Sequence, residues 1–273
     1  MDNQFQAFDS RCKFGGKYFP SPIFTASGCA GSGKELSQFF DLDELGAVVT
    51  KSISVKPRSG RATPRMAETP SGMLNSIGLQ GPGIDQFLAE DIPWLIANNA
   101  RVIVSISGET IEEYASLARK LRGVAGISGI EVNISCPNVE NRGLVFACDP
   151  VASRSVVESV RRNVGGELPI IVKLSPDVTD IVSIAGEVIS AGADGLALIN
   201  TLLGMAIDID AMRPKLAGKT GGLSGPAIRP VAVRAIYQVH AAFKNTPILG
   251  MGGVTSGRDA LELIMAGASA ISV

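Results

Sequence analysis

The chain has 273 residues, a formal net charge of −1 and 45% hydrophobic residues, with a mean hydropathy of +0.25. This charge gives no reason to expect a nucleic-acid partner, and no apolar run approaches the ~20 residues of a membrane span. Four scattered cysteines without a CxxC pair argue against an iron–sulfur or zinc site, and free thiols behind a polar N-terminus suggest a cytoplasmic protein.

The predicted elements begin with a short hairpin. Residues 10–21 (SRCKFGGKYFPS) carry aromatic residues on both sides of a Gly-Gly pair, which is typical of a tight β-turn. Because the hairpin precedes the first long strand, we expect it to plug the N-terminal end of the sheet.

Short apolar runs then alternate with amphipathic stretches almost to the end of the chain. Strands are predicted at 22–27, 47–53, 101–107, 129–135, 169–175, 195–201, 247–253 and 269–273. Helices are predicted near 35–45, 84–99, 110–122, 149–163, 178–191, 227–243 and 256–266. Start signals for four of these helices are Asp85, Thr110, Asp149 and Ser256.

Eight strands with helical crossovers predict an α/β fold, a (β/α)8 TIM barrel in one domain over residues 1–273. A doubly wound open sheet is the alternative, but it would more often carry a GxGxxG motif after its first strand, which the sequence lacks. The sequence reaches Val273 inside the eighth predicted strand. We therefore expect the eighth strand and helix to be truncated or missing, since a complete barrel would need roughly 25–40 more residues.

Catalytic groups of such barrels lie where the strands end and the following loops begin. The residues at these ends are Ser27, Thr50, Lys51, Ser105, Asn133, Ser135, Lys173, Ser175, Asn200, Thr201, Gly252 and Gly253. They include two lysines, amides and hydroxyls but no carboxylate, because Glu131 lies nearer the start of its strand. This set suits an anionic, planar ligand and does not suit a hard divalent metal, so no metal site is predicted.

Lys51 and Lys173 each stand in an apolar strand. The structural interpretation is that each lysine side chain extends outward from the end of its strand. The functional interpretations are a fixed charge facing a ligand anion and a Schiff-base amine.

Cys136 is the leading candidate for a proton-transferring base. It follows a buried strand, precedes a proline and lies between Asn133 and Asn138. A buried structural cysteine is the alternative. The single histidine, His240, lies within a predicted outer helix and is expected to be structural.

Glycine clusters late in the chain are candidates for a phosphate cradle. They are Gly221-Gly222, Gly225 and Gly252-Gly253, which we expect near the seventh strand. Ordinary turns are the alternative explanation for such glycines.

Taken together, nine motifs resemble those of class 1B dihydroorotate dehydrogenase catalytic subunits over nearly the whole chain. The motifs are TASG (25–28), TKSI (50–53), PRM (64–66), MLNSIGLQGPG (73–83), NISCPN (133–138), VKLSP (172–176), INT (199–201), GGLSGPAIRP (221–230) and GMGG (250–253). Ser105 stands where many members of that family have Asn, and the loop 139–148 departs from the pattern of close relatives.

The resemblance implies an FMN-binding barrel that oxidises dihydroorotate to orotate in pyrimidine biosynthesis, with Cys136 and Lys51 as catalytic residues. By the same resemblance, the substrate would be bound by Lys51, Asn75, Ser76, Ile77, Gly78, Leu79, Asn133, Asn138, Asn200 and Thr201. The FMN would be bound by Ser27, Lys51, Ser52, Ser105, Asn133, Lys173, Ile199, Gly225, Gly252 and Gly253.

This sequence has no cysteine cluster of its own that could hold an electron-transfer centre. The resemblance also implies partner subunits. It implies a homodimeric core and a second subunit with FAD and a 2Fe–2S cluster, joined in a heterotetramer that passes electrons to NAD⁺. The alternatives are a dihydropyrimidine dehydrogenase acting on uracil or thymine, a Schiff-base lyase barrel and a non-catalytic fragment.

Overall fold

The computed structural model describes residues 10–134, 146–166 and 168–273. Within these ranges the strands are β1 (Cys12–Phe14), β2 (Lys17–Phe19), β3 (Ile23–Phe24), β4 (Val48–Val49), β5 (Met66–Thr69), β6 (Gly72–Asn75), β7 (Val102–Ile106), β8 (Ile127–Asn133), β9 (Ile170–Leu174), β10 (Gly195–Leu198), β11 (Leu202–Met205), β12 (Ile207–Asp208), β13 (Arg213–Pro214), β14 (Thr220–Ser224), β15 (Ile248–Gly250) and β16 (Ala270–Ser272). The helices are α1 (Ile84–Gln86), α2 (Ile92–Ala97), α3 (Ile111–Leu121), α4 (Pro150–Val164), α5 (Ile181–Ser190), α6 (Arg229–Ala242) and α7 (Gly257–Ala266).

Eight parallel strands form a barrel in the order β3-β16-β15-β10-β9-β8-β7-β4. A parallel bridge between Phe24 of β3 and Ala47, the residue before β4, joins the two ends of this order and closes the ring. The TIM-barrel prediction is confirmed. Seven of the eight predicted strands contain a shorter observed strand, whereas β8 begins two residues before the predicted strand 129–135 and ends two residues before its end. The expected truncation does not remove the eighth strand, since β16 pairs with both β15 and β3.

Alternating residues of the barrel strands pack into two separate apolar clusters. In β7, Val102 and Val104 belong to the cluster shared with the helices. Ile103 belongs instead to the cluster that contains Phe14 and Phe19 of the N-terminal hairpin. The outward positions therefore hold the helices, and the inward positions fill the barrel.

The hairpin of β1 and β2 closes the N-terminal end of the barrel, as the sequence predicts. Gly15 (φ 54°) and Gly16 (φ 80°) form its turn with the positive φ angles that such a turn requires. Phe14 and Phe19 are buried, and their ring centroids lie 6.1 and 4.9 Å from that of Phe24 in β3. The hairpin thus supplies the lowest apolar layer of the interior.

Three of the four predicted helix starts are confirmed by side-chain caps. Thr110 accepts from the backbone N–H of Glu113, Asp149 from that of Ala152 and Ser256 from that of Asp259. Asp85 does not cap its helix. That helix begins one residue earlier and continues from α1 through a π-helical turn, Phe87–Asp91, into α2.

The helix predicted near 35–45 is wrong, because this stretch contains only two 3-10 turns, Leu36–Gln38 and Leu42–Glu44. Asp41 has an extended backbone between them (φ −73°, ψ 130°), so the helical ladder cannot continue. None of the described helices is both long and apolar enough to cross a bilayer.

A second sheet, which the sequence did not predict, lies at the C-terminal end of the barrel. Its strands run in the order β11-β14-β6-β5, all antiparallel. Two come from the loop after β4 and two from the loop after β10. Loops that follow the second and sixth barrel strands are thereby joined above the same end of the barrel.

Candidate active site

The barrel interior changes from apolar to polar toward the C-terminal ends of the strands. Ser105 stands opposite Glu131 in the β7–β8 pair, and Asn133 stands opposite Lys173 in the β8–β9 pair. All four residues are buried. This register places a hydroxyl beside a carboxylate and, two residues further along β8, an amide beside an ammonium group.

A chain of three serines runs from the barrel mouth to the buried carboxylate. The hydroxyl oxygens of Ser27 and Ser52 lie 3.4 Å apart, and those of Ser52 and Ser105 lie 2.9 Å apart. The Ser105 hydroxyl donates to Glu131 Oε1 at 2.9 Å. Three residues predicted to bind the cofactor are therefore connected through hydrogen bonds.

The amide residues join the same network. Asn133 Nδ2 donates to Ser52 Oγ at 3.0 Å, and Asn200 Nδ2 donates to Asn133 Oδ1 at 3.4 Å. Asn200 Oδ1 accepts from the backbone N–H of Thr201 at 2.8 Å. The Tyr114 hydroxyl supports the strand from outside by donating to the Asn133 carbonyl at 2.8 Å.

Glu131 lies beside the candidate site residues, although the sequence predicts it nearer the start of its strand and outside the set at the barrel mouth. It is fully buried in the layer just beneath the mouth, where it accepts from Ser105. The reason is the two-residue side-chain period of a strand, which places Glu131 on the same inward face as Asn133. Counting by that period, rather than by distance from the strand end, would have found it.

Lys173 is 4% exposed and has one charged neighbour, Glu131 Oε1, at 4.0 Å from its Nζ. Across the described residues, Nζ makes no hydrogen bond, since 4.0 Å is too long for one. A buried ammonium group needs acceptors for its three hydrogens. A ligand with acceptor atoms facing Lys173 would supply them.

Lys51 lies just beyond β4 at the mouth, and its backbone N–H donates to the carbonyl of Gly31. Its side chain is partly exposed, unlike that of Lys173. The neighbouring Thr50 hydroxyl oxygen accepts from the backbone N–H of Ser105 at 3.2 Å and ties β4 to β7. Lys51 is therefore held at the rim, and Lys173 lies inside.

Asn75 and Thr201, both predicted to bind substrate, meet at Gly222. Asn75 Nδ2 donates to the Gly222 carbonyl at 3.3 Å. A Cβ atom on Gly222 would lie 2.0 Å from Thr201 Oγ1, so only glycine fits there. The second sheet therefore brings Asn75 to the mouth of the barrel.

The predicted substrate residues that follow Asn75 form a loop supported by Arg61. Ser76 is buried and its hydroxyl accepts from Arg61 Nη1 at 3.3 Å, while the Ile77 carbonyl accepts from the Arg61 backbone N–H. Gly78 (φ 78°) and Leu79 (φ 54°) have left-handed backbones. The described contacts of this loop are with the segment around Arg61 rather than with the serine chain.

Gly225 and Gly253 approach each other closely. Gly225 (φ 89°), Gly252 (φ 124°) and Gly253 (φ 72°) all have positive φ angles, and a Cβ on Gly253 would lie 2.7 Å from the Gly225 carbonyl oxygen. A Cβ on Gly252 would lie 3.6 Å from Ile199 Cγ1. The backbone N–H groups of Gly252 and Gly253 donate no hydrogen bond to any described residue, which suits an anion-binding loop.

Gly221 and Gly222 have a different position from the one expected. They lie in β14 of the second sheet, before the seventh barrel strand rather than near its end. A Cβ on Gly221 would lie 2.5 Å from the Asn75 carbonyl oxygen. Strand packing, rather than phosphate binding, explains these two glycines.

The loop after the seventh barrel strand is held by Asp259 at the start of α7. Asp259 Oδ2 accepts from the Thr255 hydroxyl at 2.8 Å and from its backbone N–H at 3.0 Å. These hydrogen bonds, together with the nearby Arg229 guanidinium, lower the pKa of Asp259 to about 2. The carboxylate therefore stays charged at neutral pH and fixes the loop that carries Gly252 and Gly253.

Cys136 and Asn138 lie outside the described residues, as does Ser135. In the sequence they follow Ile134, the last described residue after β8. Over the described ranges, no three His, Cys, Asp or Glu side chains are grouped as metal ligands would be.

Comparison with known proteins identifies relatives over almost the whole chain. The family model described as dihydroorotate dehydrogenase matches residues 10–273. A protein of a Geobacter species named "Dihydroorotate dehydrogenase B (NAD(+)), catalytic subunit" is 53% identical over 253 residues, which cover 93% of this chain and 82% of that protein. Proteins with the same name from Pelobacter propionicus (52% identical; 97% and 86% covered) and Alkaliphilus metalliredigens (51%; 93% and 82%) are also similar.

Proposed function

The chain belongs to the dihydroorotate dehydrogenase family, and from that premise we propose that it oxidises dihydroorotate to orotate on a bound FMN. The observation that carries the proposal is Lys173, a buried ammonium group without a hydrogen bond from the described residues, beside a layer of amides and hydroxyls. The flavin ring and the pyrimidine ring are both rich in acceptor atoms, and the FMN phosphate and the substrate carboxylate are anionic, so these ligands complement the ammonium and amide groups of the site.

The residues present fit FMN at two places. The glycine cradle of Gly225, Gly252 and Gly253 would offer a phosphate backbone N–H groups that donate to none of the described residues. Lys173 and Ser105 would meet the ring system inside the barrel, with Ser27, Ser52 and Ile199 completing the predicted contacts. The chemistry supplied by bound FMN is acceptance of a hydride from C6 of the substrate.

The chain's own residues would bind the substrate and move one proton. Lys51 would pair with the substrate carboxylate at the rim. The pyrimidine would be hydrogen-bonded by Asn75, Asn133, Asn138, Asn200 and Thr201. Cys136 would take the proton from C5 as hydride leaves C6, so that the lost hydrogens are accounted for as one proton and one hydride.

The relatives' names specify a catalytic subunit and NAD⁺. We therefore propose that electrons leave this chain for a partner subunit that holds FAD and a 2Fe–2S cluster and reduces NAD⁺. A homodimeric core within a heterotetramer is the assembly that the family resemblance implies.

The test is an anaerobic titration of the purified protein, followed by its flavin absorbance, with dihydroorotate and dihydrouracil in separate experiments. We expect a yellow protein that is bleached by dihydroorotate and not by dihydrouracil. Bleaching by dihydrouracil alone would indicate a dihydropyrimidine dehydrogenase instead. A colourless protein that is trapped by borohydride with a keto substrate would indicate the Schiff-base alternative.

A further inference from the structure

The serine chain ends at an acid that the proposed mechanism does not use. Glu131 is fully buried, and one of its oxygens, Oε2, has no hydrogen-bond partner in the described part of the chain. Its other oxygen accepts from Ser105, with Lys173 at 4.0 Å. A buried carboxylate with one unpartnered oxygen costs stability, so its place beside the site calls for a role there.

The carboxylate determines the direction of every hydrogen bond in the chain. An ionised carboxylate only accepts, so the single hydrogen of the Ser105 hydroxyl is committed to Glu131. The Ser52–Ser105 contact of 2.9 Å then requires Ser52 as the donor. Because the Ser52 hydroxyl hydrogen is donated to Ser105, the Ser52 oxygen acts as an acceptor for Asn133 Nδ2 and for the Ser27 hydroxyl.

This direction fixes the orientation of the asparagine amides. Since Asn133 Nδ2 faces Ser52, its Oδ1 faces the other way and accepts from Asn200 Nδ2. The Asn200 Oδ1 then accepts from the backbone N–H of Thr201. A chain of hydrogen bonds thus connects the buried acid to three residues assigned to the substrate.

We propose that Glu131 is a positioning residue, whose carboxylate orients the Ser105–Ser52–Asn133 chain and so sets which amide atoms of Asn133 and Asn200 face the pyrimidine. This inference rests on the proposed function and names a determinant of its substrate binding. Glutamine at position 131 has nearly the same shape but can donate as well as accept, so it would remove the fixed direction.

The experiment measures the dissociation constant of orotate for the FMN-loaded protein by titration calorimetry. We expect Glu131→Gln to weaken orotate binding about tenfold, the order expected for misdirected hydrogen bonds to a ligand. Ser105→Ala cuts the connection between Glu131 and Ser52. In that background Glu131→Gln should change orotate binding less than about twofold, because coupled residues are not additive.

Two results would overturn the proposal. One is wild-type orotate affinity in Glu131→Gln protein that has full FMN content. The other is an undiminished effect of Glu131→Gln in the Ser105→Ala background, which would mean that Glu131 acts through the Lys173 charge instead.

A second pair of variants covers the case in which Glu131→Gln does not fold. Ser105→Ala removes the hydroxyl and should bind orotate more weakly than wild type, and Ser105→Thr, which keeps the hydroxyl, should recover part of that loss. Equal affinities of Ser105→Ala and wild type would refute the proposed chain. A wild-type protein that purifies without flavin would instead overturn the proposed function, and this inference with it.

Discussion

Lys173 is the residue whose surroundings say most about the ligand. Burial of an ammonium group carries a desolvation penalty of several kcal/mol, which a charge 4.0 Å away offsets only in part. A ligand without acceptor atoms, or a cationic one, would leave that penalty in place. A ring with acceptor atoms directed at Nζ would supply the missing hydrogen bonds, and the negative charge that a reduced flavin carries would offset more of the penalty.

The proposed base at position 136 leads to a prediction about pH. An unperturbed thiol titrates at about 8.5, so only a few per cent is thiolate at pH 7. Reduction of the flavin by dihydroorotate should therefore accelerate toward mildly alkaline pH. Since serine is a far weaker acid, Cys136→Ser should lower the rate near neutrality by orders of magnitude, as measured by anaerobic stopped-flow absorbance.

The matched control is Cys148→Ser, because Cys148 is an exposed cysteine that is not assigned to the site. Its replacement should leave the rate of flavin reduction unchanged. A Cys136→Ser protein with the wild-type rate would remove Cys136 from the mechanism.

Among the elements, barrel strands and helix caps were predictable because local chemistry determines them. The run Val102–Ile106 is apolar at every outward position, and Thr110 and Asp149 supply the side-chain oxygens that free N–H groups need. The second sheet was not predictable in this way. Its strands, such as Met66–Thr69 and Thr220–Ser224, are short, rich in glycine or polar residues, and paired across about 150 residues of sequence, as Leu74 and Leu223 are.

The N-terminal hairpin should contribute measurably to stability. Phe14 is buried against Phe24, so Phe14→Ala should lower the free energy of unfolding by about 3–5 kcal/mol. Tyr18, in the same hairpin and 73% exposed, is the matched control, and Tyr18→Ala should change it by less than about 0.5 kcal/mol. Urea unfolding followed by circular dichroism measures both. An unchanged midpoint for Phe14→Ala would show that the hairpin is not part of the cooperative core.

For the whole molecule, the position of a candidate site residue was predictable where the residue ends a strand and not where it lies one layer deeper. Ser105, Asn133 and Lys173 follow from the rule that chemistry sits at the C-terminal end of a barrel. Glu131 required the side-chain period as well, and its contact with Ser105 depends on the strand register, which the sequence does not state. The meeting of Asn75 with Thr201 at Gly222 depends on a sheet formed by distant segments.

The proposed route of electrons predicts a division of labour between subunits. The chain alone should be reduced by dihydroorotate but should form NADH only slowly, since the FAD and iron–sulfur centres are expected on the partner subunit. Adding the cognate electron-transfer subunit should raise NADH formation, followed by absorbance, by orders of magnitude. Full NAD⁺-linked turnover by the isolated chain would contradict the proposed partnership.

The second sheet has a consequence for how substrate preference changes over evolutionary time. The second sheet is shared between residues 66–75 and 202–224, whose backbones are hydrogen-bonded through β6 and β14. An insertion or exchange in one stretch would leave unpaired edge groups on the other. Diversification at this barrel mouth should therefore proceed by concerted replacement of both stretches, and a grafting experiment that transfers only one would produce a poorly formed second sheet.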